Sequence, residues 1–129
     1  MSIFSKIISG EIPSYKIKEN DYFLAFLDVF PLAKGHVLVV PKIEVDKLFS
    51  LPDNYLSEIL LFSKSIAFAI EKSFNCKRCG LSVIGLEVPH AHVHLVPMNT
   101  ADDLNFTREK LKVSAEEMKE IQNKLMANL

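Results

Sequence analysis

Three of the four histidines in this chain stand at alternate positions of one short segment, "VPHAHVHLVP", residues 88 to 97. They are His90, His92 and His94; the fourth, His36, follows a glycine in "GHVLVVP". On a strand, successive side chains point to opposite faces. Three imidazoles would therefore share one face, roughly 7 Å apart along the strand at about 3.3 Å per residue. Ala91, Val93 and Leu95 would face a core. An ordinary solvent-facing strand draws on Lys, Glu, Thr or Ser, which this chain uses freely elsewhere. Two chemistries fit the pattern. Alternate histidines on a strand can chelate zinc. Alternatively, one imidazole attacks phosphorus while its neighbours position and stabilise the charged centre. An unperturbed pKa near 6.5 leaves neutral, nucleophilic imidazole at pH 7.

The remaining reactive residues say less. Cys76 and Cys79, in "NCKRC", could be a redox pair or half of a zinc site. No second cysteine pair exists to complete a four-cysteine site, and two half-buried thiols at a helix-to-strand join is the plainer reading. Asp28, in "FLDVFP", reads on its own as a turn-initiating aspartate before Pro31. It could also accept from two vicinal hydroxyls, as aspartates do in ribose sites.

The chain has 129 residues, 49% of them hydrophobic, and a formal net charge of −1. That fits one domain over residues 1–129 with a real core. Lys and Arg are scattered among acids, so no basic stripe is offered to a nucleic-acid backbone. The opening "MSIFSKIISG" lacks the basic stretch and long apolar run of a signal peptide. No apolar run approaches a membrane span. A soluble protein of a reducing, cytoplasmic compartment is the simplest expectation.

The elements around the histidines follow from pattern. Residues 2 to 9 predict a short helix with Ile3, Phe4, Ile7 and Ile8 on one face and Gly10 as its stop. "YKIKEN" and "YFLAFLD" predict a hairpin turning at Asn20 and Asp21, and "HVLVVP" predicts a strand closed by Pro41. Residues 52 to 74 predict the main helix, with Leu56, Ile59, Leu60, Ile66, Ala67, Ile70 and Phe74 at helical spacing and Pro52 near its start. "GLSVIGLEV" and "AHVHLVPM" predict two more strands. "SAEE" predicts a capping box in which Ser114 caps and Glu117 reaches back, ahead of a helix striped by Met118, Ile121 and Leu125. The class is α+β: a five-stranded, mainly antiparallel sheet, one long helix and short terminal helices.

"HAHVHLVP" matches the alternating signature of the histidine triad (HIT) superfamily. "IFSKIISGEIPS" and "AFLDVFPLAKGHVLVVPK" resemble the corresponding segments of its bacterial, Hint-like branch. The resemblance runs in order from residue 3 to residue 97. It implies a five-stranded antiparallel fold, usually paired as a homodimer, that binds purine nucleotides and acts as a nucleotidyl hydrolase or transferase without a cofactor. It implies that His92 attacks the α-phosphate and forms a nucleotidyl-imidazole intermediate, which water hydrolyses. By the same resemblance, His94 bonds a phosphate oxygen, His90 helps fix His92, and His36 completes the cluster. Asp28 would hold the ribose hydroxyls, and Ile7, Phe26 and Leu27 would wall the base. A nucleotide-binding module with weak or no turnover, and a histidine-rich metal-binding protein, are the competing readings.

The chain also departs from the family. Where relatives carry G-Q-S before the triad, it has Gly85, Leu86 and Glu87, so an acid replaces a polar contact to the phosphate or leaving group. A carboxylate there would repel phosphate unless it is protonated, turned away or used as a base. Ser82 is the nearest stand-in for an asparagine of the preceding strand. Many bacterial relatives hold a structural zinc through C-x-x-C and a histidine after the P-K pair. Ser2, Ser5 and Glu44 occupy those places here, so no zinc site is expected.

Overall fold

The computed structural model describes all 129 residues. Helix α1 spans Ile3–Ile8; strands β1 (Lys16–Glu19), β2 (Phe23–Leu27) and β3 (Val37–Pro41) follow. Helix α2 covers Asp53–Ser73, then come β4 (Arg78–Ser82), β5 (Val93–Met98) and helix α3 (Ala115–Ala127). The strands form one antiparallel sheet in the order β1-β2-β3-β5-β4. This is the expected α+β architecture. No helix is long and apolar enough to cross a membrane.

The two faces of the sheet have different work, and strand alternation sorts the residues between them. Phe23, Ala25 and Leu27 of β2, Val37 and Val39 of β3, and Val93 and Leu95 of β5 pack beneath α2 and α3. The α2 stripe that meets them is Ile59, Phe62, Ile66, Ala69 and Ile70, spaced at three and four residues. On the opposite face, Leu24, Phe26, Leu38 and Val40 lie under Phe4 of α1. His94 pairs across the sheet with Leu38 on one side and Ser82 on the other, so it belongs to this second face.

Several boundaries differ from expectation for identifiable reasons. The triad strand begins at Val93, so His90 and His92 precede the ladder. Pro89 has no N–H to give, and the Ala91 amide goes to the Val45 carbonyl at 2.7 Å. Strand β4 covers residues 78–82 rather than 80–88, and an irregular loop of residues 83–89 follows it. Leu60 is 58% exposed, off the buried stripe. Ser114 caps α3 by accepting from the Glu117 amide at 3.1 Å. The Glu117 carboxylate pairs with Lys34 instead of closing a box, and the reciprocal box forms at Thr100 and Asp103. Ile3 is half exposed, and Phe4 is the one buried residue of α1.

Candidate active site

His92 is held in one orientation by its own chain. Its Nδ1 lies 2.7 Å from the carbonyl oxygen of His90. A carbonyl oxygen only accepts, so Nδ1 carries the proton and Nε2 keeps a free lone pair. Phe4 packs edge-on against this ring at 4.9 Å between centroids. Burial lowers the His92 pKa below its ordinary value, with a smaller opposing effect from the His90 carbonyl. The ring is therefore neutral at pH 7 with its unprotonated nitrogen unbonded.

A second chain of bonds sets His94. The Leu32 amide donates to His36 Nδ1 at 3.0 Å, which leaves the proton of neutral His36 on Nε2. His36 Nε2 lies 2.9 Å from His94 Nδ1 and donates to it. His94 must then carry its own proton on Nε2, as a donor with no protein acceptor. The His92 and His94 rings meet at 4.9 Å between centroids, closer than the spacing expected along a flat strand, and His92 lies before the strand that holds His94. Burial pushes His36 down to about 3 and His94 down to about 4, with neighbouring imidazoles and the Lys110 ammonium adding to the effect. One lone pair and one N–H therefore stand side by side on uncharged rings. That arrangement suits attack at a phosphorus whose oxygen needs a hydrogen bond.

Gly35 delivers His36 to this cluster. It adopts a φ of +96°, and a Cβ there would lie 2.4 Å from the Phe74 ring, so only glycine fits. Asp28 stands beside His36, bonded to it through its backbone amide at 3.0 Å. Its Oδ1 accepts from the Phe30 amide at 2.9 Å. Its Oδ2 lies 3.6 Å from His36 Nε2, too far for a hydrogen bond, and has no donor. Burial raises the Asp28 pKa, which marks a carboxylate short of partners, as one awaiting hydroxyl donors would be.

The other expected residues divide. Phe26 and Ile7 lie on the triad face around Phe4. Leu27 alternates to the opposite face and is buried under α2, so it does not reach the triad side. Ser82 is the half-buried cross-strand partner of His94. Gly85 and Glu87 lie exposed in the loop of residues 83–89, with Gly85 at φ +68° and no hydrogen bond from the Glu87 carboxylate. Leu86 is 88% exposed. Cys76 and Cys79 are free; burial pushes the Cys79 thiol up to about 12, which leaves it unreactive.

Two contributors escaped the sequence reading. Phe106 packs against His94 at 4.6 Å and His36 at 6.0 Å between centroids. Lys110 donates to the Phe106 and Arg108 carbonyls at 2.6 and 3.1 Å, and its charge acts on Asp28, His36 and His94. Both lie in an irregular segment that returns over residues 28–36, tied by the Leu111 amide to the Pro31 carbonyl at 2.9 Å and by Arg108 to the Leu32 carbonyl at 3.2 Å. No periodicity in the sequence announces such a return.

Metal ligation finds little here. His90, His92 and His94 do not converge on a point. Donor atoms of Asp28, His36 and His94 do lie within 4.8 Å of one another, but the two imidazole nitrogens already share a proton. Ser2, Ser5 and Glu44 converge as well, and with His90. There the Ser2 amide and Ser5 hydroxyl donate to Glu44, and the Ser2 hydroxyl bonds His90. Neutral hydroxyls and one carboxylate are a poor donor set for zinc, which takes thiolate, imidazole or carboxylate. Hydrogen bonds satisfy these groups instead.

Residues 9–101 match the family model described as the HIT domain. The chain belongs to the HIT family. A HIT-like protein of Borreliella burgdorferi, uncharacterized, is 36% identical to it across 98% of this chain and 97% of its own. An adenosine 5'-monophosphoramidase of Schizosaccharomyces pombe is 33% identical over 98% and 97% of the two chains. The crystal structure of a HIT-like protein from Bartonella henselae superposes with a TM-score of 0.85 at 29% identity, covering 99% of this chain and 96% of that one. The five-stranded sheet and long helix of this HIT protein are the family's fold, and its phosphoramidase relatives support a nucleotide hydrolase.

Proposed function

We propose that this HIT protein hydrolyses a purine nucleoside monophosphate joined to a leaving group, as in an adenosine phosphoramidate or a dinucleoside polyphosphate. The observation that carries the reading is the His92 ring, whose Nδ1 is tied to the His90 carbonyl and whose Nε2 is free. Nε2 attacks the α-phosphorus, the bond to the leaving group breaks, and a nucleotidyl-imidazole forms. Water then displaces the imidazole and releases the nucleotide. His94 donates from Nε2 to a non-bridging phosphate oxygen, held in that tautomer by His36. Asp28 accepts from the ribose hydroxyls, and Phe26 and Ile7 wall the base. Ser82, Gly85 and Glu87 line the leaving-group side. No cofactor enters this scheme.

A relative named for adenosine 5'-monophosphoramidase activity along nearly the whole chain favours an amine leaving group. The Leu86 and Glu87 side chains are exposed and make no hydrogen bond to the triad, and this favours the second reading: a nucleotide-binding module with weak turnover. A panel of adenosine and guanosine phosphoramidates and dinucleoside polyphosphates, with product analysis, separates the two. Release of the monophosphate supports hydrolysis. Tight binding without product supports the module.

A symmetric dimer goes with this reading. Leu60, Leu61 and Phe68 on α2 are more than half exposed, and β4 is a free sheet edge that carries the exposed Leu81. A second chain would cover them, two-fold related as most homodimers are. Light scattering at micromolar concentration should return the dimer mass; a monomer mass counts against it.

A further inference from the structure

We infer that Ser2 is a positioning residue for the reaction: its hydroxyl donates to Nδ1 of His90 at 2.7 Å and fixes the residue whose carbonyl oxygen orients His92. The inference rests on reading His92 as the attacking group.

The direction of each bond follows from its partners. The Pro41 carbonyl oxygen can only accept, so His90 Nε2, 2.9 Å away, carries the ring proton. Neutral imidazole has one N–H, which makes Nδ1 an acceptor. The Ser2 hydroxyl supplies that proton, since Nδ1 at 2.7 Å is a nearer acceptor than the Ser5 hydroxyl at 3.3 Å and has no other donor. The hydroxyl is itself aimed, because as N-cap of α1 it accepts from the Ser5 amide at 3.0 Å. The Ser2 amide donates to Glu44 Oε1, which also accepts from the Ser5 hydroxyl at 2.7 Å. These donors hold the Glu44 carboxyl down to about 2, the Ser2 amide first among them, so Glu44 is an acceptor across the working pH range.

The backbone explains why a side-chain bond matters so much at this point. His90 and Ala91 precede β5, so no strand neighbour holds the His90 carbonyl. The His90 amide turns to the Val88 carbonyl at 2.8 Å, and Ala91 to Val45 at 2.7 Å. The fully buried His90 ring anchors the segment at two ends, α1 through Ser2 and β3 through Pro41. Without the Ser2 hydroxyl, His90 Nδ1 is a buried acceptor with no donor, and the ring must turn or the segment must shift. Either outcome loosens the carbonyl that keeps the His92 proton on Nδ1. The Nε2–H form of His92 then grows, and that form cannot attack. Nucleotide binding does not depend on the choice of tautomer.

The test compares Ser2→Ala, Ser2→Thr and Ser5→Ala with the unaltered protein on an AMP–amine conjugate. AMP binding is measured by calorimetry, and the His92 ring nitrogens are followed by 15N NMR. Ser2→Ala should lower kcat about 10-fold or more while KM and AMP affinity stay within about twofold. Ser2→Thr keeps the hydroxyl and should recover most of the loss. Ser5→Ala removes a bond to Glu44 and the longer contact between the Ser5 and Ser2 hydroxyls at 3.3 Å but leaves the Ser2–His90 bond, and should stay within about twofold of normal kcat. In Ser2→Ala, His92 should pass from the Nδ1–H form to a mixture. An unchanged kcat in Ser2→Ala, equal losses in Ser2→Thr, or an equal loss in Ser5→Ala would each overturn the inference. Should Ser2→Ala not fold, Ser2→Cys fills the same space with a weaker donor and is judged by the same readings. If the unaltered protein turns over no nucleotide conjugate, the proposed function fails, and the His92 tautomer in the variant still decides the role of Ser2.

Discussion

His36 Nε2 donates to His94 Nδ1 at 2.9 Å, and this single bond decides which nitrogen of His94 faces outward with a proton. The donor is fixed in turn by the Leu32 amide on His36 Nδ1. Removing the first ring should therefore leave His94 free to choose the wrong tautomer. His36→Asn is expected to lower kcat by about 10- to 10²-fold, as loss of a tautomer-setting partner does elsewhere. Steady-state kinetics on an AMP–amine conjugate check it. A variant with normal kcat would remove His36 from the scheme.

Asp28 Oδ2 has no donor, and the ribose hydroxyls are the ligand groups that would supply one. Asp28→Asn should weaken AMP binding by about 1.5–3 kcal/mol, the worth of a charge-assisted hydrogen bond. The analogue lacking both hydroxyls should bind the two proteins nearly alike. Calorimetry with both ligands measures the difference. Equal losses would detach Asp28 from the ribose.

The depressed histidines give a pH dependence with a definite sign. In the unfolded chain each takes up a proton near pH 6.5; in the folded protein His94 waits until about 4 and His36 until about 3, chiefly because both are buried. The unfolded state thus binds more protons as pH falls below 6.5. Stability is fully present above that value and is lost from there down to about pH 4 for His94 and about pH 3 for His36, by up to about 1.4 kcal/mol per pH unit for each group. Urea unfolding at pH 7 and pH 5 should show the midpoint fall. Activity should keep its plateau to below pH 6.5, because burial lowers the His92 pKa as well. Lys110→Met removes a charge that helps keep His36 and His94 neutral, and should raise the pH at which those two rings take up a proton, read by 15N NMR. An acid limb at 6.5 in the unaltered protein, or no movement in the variant, would contradict this.

Period-two spacing was enough to suggest that His92 and His94 lie beside each other, and their rings do meet at 4.9 Å between centroids. It did not show that His90 and His92 precede the ladder, because that depends on Val45, a distant residue that takes the Ala91 amide. Asp28 and His36 became neighbours through β2–β3 pairing, whereas the hairpin read from the sequence joined β1 to β2. Leu27 lies on the face opposite Phe26, and the same alternation that sorted the histidines separates the two. Phe106 and Lys110 were invisible, because an irregular segment returns to the site through isolated bonds rather than a repeat. The meeting of Ser2, Ser5, Glu44 and His90 was legible in outline, since family resemblance had grouped three of the four positions. That they are joined by hydrogen bonds could be read only from the structure.

That hydrogen-bonded cluster gives a further expectation. The purified protein should contain no stoichiometric zinc, and chelator should leave turnover unchanged, because hydroxyls stand where thiolates would be needed. Elemental analysis decides it. One tightly held zinc per chain would point to Asp28, His36 and His94, whose donor atoms lie within 4.8 Å of one another.

The most direct test of His92 as nucleophile is to trap the intermediate. The protein is mixed with a slight excess of an AMP–amine conjugate, quenched in base within one turnover, and its peptides are read by mass spectrometry. One adenylyl group should appear on the peptide containing residues 90 to 94, with fragmentation placing it on His92. His92→Asn should show no adduct and a kcat lower by at least about 10³-fold, with AMP binding retained. An adduct on His94 or His90, or full turnover by His92→Asn, would contradict the assignment.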